Sequence, residues 1–160
     1  MLFSHPADFT PVCTDEFPAF SLAFNRFKES VLLALSAGSL PAHPAWIEAI
    51  RAQFGVTVRF PIIEYPSMTV ARAYGMLDLT AQSSATVRTL HIFDPEGIIR
   101  AITWYPMSVG RSVTEMLRLV AAPQKVAQDD VLTPEGWNPG DATVLPAVQT
   151  QEDAAAAGPA

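Results

Sequence analysis

The chain has 160 residues, 49% of them hydrophobic and 16% charged, which fits one domain with a sizeable core and excludes disorder over most of its length. Ten Lys and Arg against sixteen Asp and Glu leave a formal charge of −6, which argues against a nucleic-acid partner. Apolar stretches such as 31–37 are too short to span a bilayer, and no charged segment with a long apolar run opens the chain; a cytoplasmic protein with no membrane partner is expected.

Leu2 and Phe3 read as the end of a strand. From 10 to 28, Val12, Phe17, Phe20, Leu22, Phe24 and Phe27 present a broad apolar face, which predicts a helix bent near Pro18. The continuous apolar run 31–36 suits a central parallel strand. Residues 44–54 read as a helix with Trp46, Ile47, Ile50 and Phe54 inward, 58–63 as a strand in spite of Pro61, and 68–76 as a short helix ended by Gly75. Strands at 86–94 and 98–105 are joined by Asp94-Pro95-Glu96-Gly97, a turn sequence that predicts an antiparallel hairpin. A last helix at 111–121 carries Val113, Met116, Leu117 and Val120 on one face. The order β-α-β-α-β-α-β-β-α describes an α/β core that changes from parallel to antiparallel pairing, compatible with a thioredoxin-like fold without singling it out. Beyond Pro123 the periodicity fades. Residues 133–141 are turn-rich around Trp137, and 149–160 form a polar, Ala-rich tail expected to be frayed or disordered.

Cys13 is the only cysteine, so an internal disulfide and a Cys-based zinc site are excluded. His5, His43 and His91 have no second ligand at short spacing, and neither a metal nor another cofactor is expected. Thr10-Pro11 is a helix-start signal, with Thr10 as N-cap and Pro11 as the first helical residue. Cys13 then stands at the third helical position, near unpaired backbone N–H groups and the positive end of the helix dipole, where a thiolate is favoured. Thr10, three residues earlier, shares its side of the turn. A lone cysteine is more often an inert small hydrophobe, and the helix-start signal beside it brings the two readings only to even terms. Asp8, Asp15 and Glu16 read most simply as solvated charges of a loop and first turn.

The run His5-Pro6-Ala7-Asp8-Phe9-Thr10-Pro11-Val12-Cys13-Thr14 resembles the peroxidatic signature of the 1-Cys peroxiredoxins. Downstream, Phe60-Pro61-Ile62-Ile63, Ala73-Tyr74-Gly75-Met76-Leu77, Thr86-Val87-Arg88, Phe93-Asp94-Pro95-Glu96-Gly97, Tyr105-Pro106 with Gly110-Arg111, and Thr133-Pro134 with Trp137 and Gly140 follow in the same order. The resemblance spans nearly the whole chain, from about residue 2 to about residue 148. It implies a thioredoxin-like α/β fold, a central mixed β-sheet flanked by helices, in a domain over 1–122, with part of the family's C-terminal extension at 123–148 before the tail.

By the same resemblance Cys13 attacks hydrogen peroxide or an alkyl hydroperoxide and becomes a sulfenic acid. Thr10 hydrogen-bonds the peroxide, Arg88 stabilises the thiolate and the charge developing on the peroxide oxygens, and Pro6 shields the sulfenic acid. Arg111 matches a second arginine near the pocket, with a surface residue after Gly110 as its equal alternative, and His5 is a neighbour of the site, more structural than catalytic. With no second cysteine, an external thiol must close the cycle: glutathione, a glutaredoxin or a thioredoxin. Cys13-Thr14-Asp15-Glu16 lacks the second cysteine of a C-x-x-C disulfide oxidoreductase. Relatives of this kind are usually homodimers. They also usually carry a further N-terminal segment and a longer C-terminal arm, so the first strand is expected to be short. The alternative function is a catalytically impaired relative acting as redox sensor, holdase or binding module.

Overall fold

Short apolar runs and one hairpin assemble into a five-stranded sheet. In the computed structural model, which describes residues 1–27, 30–36, 38–64, 67–77 and 85–147, the strands are β1 (Leu2–His5), β2 (Leu33–Ser36), β3 (Ile62–Glu64), β4 (Arg88–Phe93) and β5 (Ile99–Tyr105). Their spatial order is β3-β2-β1-β4-β5. β2 runs parallel to β1 and β3, and β4 is antiparallel to β1 and β5. The expected mixed sheet is present, and its change of direction falls between β1 and β4.

The helices are α1 (Pro11–Leu22), α2 (Ala42–Phe54), α3 (Thr69–Ala73) and α4 (Val113–Asp129), with a 3-10 turn at Phe24–Phe27. Element order follows the sequence reading; several boundaries do not. The helix expected over 10–28 stops at Leu22 and gives way to the 3-10 turn, while Pro18 sits buried inside α1. β2 starts at Leu33 because Val31 lies in the exposed approach to it. β3 starts at Ile62 because Pro61 has no N–H for a ladder; its carbonyl instead accepts from the Ala34 N–H at 3.0 Å. α4 runs through Pro123 to Asp129. The proline costs one hydrogen bond there, and the strong helix formers Ala121, Ala122, Gln124 and Lys125 flank it.

The chain divides into two compact units, Met1–Leu117 and Arg118–Ala160. In the second, Leu132 and Val144 form a reciprocal backbone bridge, and the Trp137 indole N–H donates to the Asp141 carbonyl at 3.1 Å. The expected tail, 149–160, lies outside the described residues.

In the first unit the register decides what faces α1. Phe3 lies opposite Ala34 and Leu90, so by the two-residue period of a strand Phe3 and His5 of β1 share a face with Leu90 and Arg88 of β4. Phe3 meets Phe20 at 4.8 Å, Phe17 at 5.7 Å and Phe60 at 5.5 Å between ring centroids. This is therefore the face that α1 covers, and Arg88 projects toward α1. On the other face, Leu2 and Leu35 pack with Ala71, Met76 and Leu77.

Phe3 has no exposed surface, so Phe3→Ala is expected to destabilise the fold by about 3–5 kcal/mol, read from urea denaturation. A loss below about 1 kcal/mol would show that this aromatic cluster does not hold α1 on the sheet.

Candidate active site

The site grows from the turn between β1 and α1. Thr10 is extended (φ −80°, ψ 145°) and Pro11 opens the helix, as the sequence predicts. The Thr10 carbonyl accepts the first helical bond from the Thr14 N–H at 2.9 Å. Its hydroxyl does not cap the helix; it donates to the Ala7 carbonyl at 2.9 Å. With that proton committed, the oxygen is left with lone pairs alone.

Cys13 sits in the first turn of α1 with no exposed surface. Arg88 reaches it across the sheet: Nη1 donates to Cys13 Sγ at 3.3 Å and to Glu16 Oε2 at 2.7 Å, while Nε donates to the Met107 carbonyl at 2.8 Å. Arg111 closes on Glu16 from the other side in a two-pronged fork, Nε to Oε1 at 3.0 Å and Nη2 to Oε2 at 2.9 Å. Its backbone N–H adds a bond to Oε1 at 2.6 Å. Arg111 Nη1 donates to the carbonyls of Ser4 (2.9 Å) and Thr89 (2.8 Å), and the guanidinium carbon lies 4.9 Å from the Phe3 ring centroid.

Two readings of the sequence are corrected here. Glu16 is no solvated charge: it is 3% exposed and joins both arginines. Its position three residues after Cys13, on the same face of α1, was the signal available for it. Arg111 is buried in the same network, so its reading as a surface residue after Gly110 falls. Asp15 is exposed, as expected.

Asp8 is also corrected. Its Oδ1 lies 3.0 Å from His5 Nε2 and its Oδ2 2.6 Å from His43 Nδ1, with only 5% of its side chain exposed. Burial alone would raise the Asp8 carboxyl, but the hydrogen bonds from His5 and His43 outweigh it and hold the group below the usual carboxylate range. His5 is fully buried between Phe17 and Trp46, and burial lowers its proton affinity more than Asp8 raises it. Pro6 is buried in the same turn. Phe9, between Asp8 and Thr10, has φ 58°, a left-handed conformation that costs a non-glycine residue about 1–2 kcal/mol.

The site thus brings together Cys13, Arg88 and Arg111, with Thr10 and Pro6 in the adjoining turn and His5 at the end of β1. Comparison with known proteins gives it a context. Residues 1–102 match the AhpC/TSA family, and residues 122–157 match the C-terminal domain of 1-Cys peroxiredoxin. The chain is 43% identical over 152 residues to a peroxiredoxin 2 of Caldanaerobacter subterraneus subsp. tengcongensis, covering 94% of this chain and 69% of that one. Among solved structures it is similar to a cysteine-to-serine mutant of the peroxiredoxin 6 of Arenicola marina (TM-score 0.86, 33% identity, 97% of this chain and 74% of that one). It is also similar to a yeast mitochondrial 1-Cys peroxiredoxin (TM-score 0.85, 38% identity, 97% and 77%).

Glu16→Gln leaves two buried guanidiniums without their carboxylate, and a loss of roughly 3–5 kcal/mol is expected in urea denaturation; a loss under about 1 kcal/mol would contradict the network. His5 and the buried His91 are both held neutral chiefly by burial. The unfolded chain therefore binds more protons than the fold once pH drops below about 6.5, so stability is full above that value and is lost as pH falls through it. The urea midpoint is expected to be lower at about pH 5.5 than at about pH 7.5, and a level midpoint would refute the linkage.

Proposed function

The chain belongs to the AhpC/TSA family of peroxiredoxins, peroxidases of the oxidoreductase class, and we propose that it reduces hydrogen peroxide and alkyl hydroperoxides by a 1-Cys mechanism centred on Cys13. The observation that carries the reading is the Arg88 guanidinium N–H at 3.3 Å from Cys13 Sγ, held there by Glu16.

The Cys13 thiolate attacks the terminal peroxide oxygen. The S–O bond forms as the O–O bond breaks, sulfur is oxidised by two electrons, and the departing oxygen takes a proton and leaves as water or an alcohol. Arg88 stabilises negative charge at both ends of that step. Thr10, whose own proton is held by the Ala7 carbonyl, accepts the peroxide O–H and turns the terminal oxygen toward the sulfur. Pro6 shields the sulfenic acid. One external thiol then condenses with it, releasing water and leaving a mixed disulfide, and a second thiol restores Cys13.

Glutathione, a glutaredoxin or a thioredoxin fits that role, and a cytoplasmic setting keeps such thiols reduced. The yeast 1-Cys peroxiredoxin similar to this chain is described as resolved through glutathione and thioredoxin systems, which supports the choice. A homodimer goes with the reading: β5 is an edge strand, and its Ile102 and Trp104 are 49% and 58% exposed.

Intact-mass analysis after one equivalent of hydrogen peroxide, with a sulfenic-acid trap present, is expected to show a single adduct that Cys13→Ser abolishes. Arg88→Ala is expected to slow the reaction about a hundredfold. A Cys13 that stays unlabelled, or labels once and never turns over with any of the three thiols, would replace the enzyme by a redox sensor, holdase or binding module.

A further inference from the structure

The turn that carries Pro6 and Thr10 is gripped from outside, by α2. His43 and Trp46 lie three residues apart, on one face of that helix. The Trp46 indole N–H donates to Thr14 Oγ1 at 3.1 Å, one residue past Cys13, while His43 Nδ1 meets Asp8 Oδ2 at 2.6 Å, two residues before Thr10. His5 Nε2 occupies the other Asp8 oxygen. Gly38 closes the far side, where a Cβ would come within 3.3 Å of His43 Cε1 and 3.0 Å of Ser36 Oγ. Phe9 needs such a grip, because a left-handed phenylalanine persists only where its surroundings over-determine it.

We propose that His43 is a positioning residue for peroxide reduction, acting through Asp8 to hold the strained turn so that Thr10 faces the sulfur. Because the Asp8 carboxylate only accepts, His43 serves it with an Nδ1–H, and its Nε2, buried without a partner, takes no part. The role therefore belongs to one ring nitrogen. Arg88, Glu16 and Cys13 make no hydrogen bond to His43, so the thiol's own reactivity is not under its control.

Asparagine places an amide N–H near the position of Nδ1, and glutamine near that of Nε2, which makes the test specific. His43→Asn is expected to oxidise Cys13 with hydrogen peroxide at close to the wild-type rate. His43→Gln and His43→Ala are expected to be about tenfold slower, the worth of one charge-assisted hydrogen bond. Alkylation of Cys13 by iodoacetamide should match wild type in all three. In an Asp8→Ala background, His43→Ala should add nothing. Equal rates for the Asn and Gln variants, additive losses with Asp8→Ala, or alkylation that changes in step with the peroxide rate would overturn the proposal.

The kinetic arm rests on the peroxidase reading of Cys13; a wild-type Cys13 inert to peroxide would sink that reading separately. Hydrogen exchange in a peptide covering residues 5–12 tests the grip without it. Exchange should be faster in the Gln variant than in the Asn variant, and equal exchange would refute the inference even if His43→Ala fails to fold.

Discussion

A single carboxylate sits between two guanidiniums under the sheet, and the geometry around Cys13 follows from it. Glu16 cannot be left alone at 3% exposure, because a buried unpaired charge is far costlier than a surface one. It draws Arg88 from β4 and Arg111 from the approach to α4 onto one side of α1. Arg111 then ties that point to the backbone of β1 and β4. The charges count two positive against one negative, so Glu16 alone does not balance the two guanidiniums, and Arg88 reaches on to Cys13 Sγ at 3.3 Å.

The rest of the first unit supports that arrangement from both faces. The aromatic cluster of Phe3, Phe17, Phe20 and Phe60 seats α1 against β1, and the Arg111 guanidinium lies over two of those rings. Apolar packing and the ion network thus share Phe3 and Arg111. β1 is only four residues long but lies in the middle of the sheet, paired on both sides. Ser4 reinforces it: its hydroxyl bonds the Val87 carbonyl at 2.5 Å and accepts from the Thr89 N–H at 3.0 Å. A strand with few ladder bonds of its own is held by a side chain.

Element order was legible because hydrophobic period and turn chemistry agree along the chain. Gly55 and Gly75, both with positive φ, follow the ends of α2 and α3 where the pattern puts stops. Boundaries were lost where apolar character and burial part company, as at Val31, and at two prolines: the strand was carried through Pro61, where the ladder cannot form, and the last helix was ended before Pro123, which it runs through. In the site, the turn from Pro6 to Cys13 was legible because its chemistry is local. Glu16 and Asp8 were not. Beside Asp15 a glutamate reads as solvated, and its partners lie 72 and 95 residues away; the second partner of Asp8 lies 35 residues away on α2. Period and spacing register a charge, but not a counter-charge brought near by the fold.

Pro18 gives α1 an uneven strength. It has no N–H to offer the Thr14 carbonyl, so α1 lacks a rung four residues below it. At the other end Pro11 opens the helix, and the segment between the two prolines carries Cys13, Thr14 and Glu16. α1 is thus tied tightly by its side chains, through Glu16 and Arg88, and loosely by its backbone at Thr14, so local opening of this segment meets fewer backbone bonds than an unbroken helix would set against it.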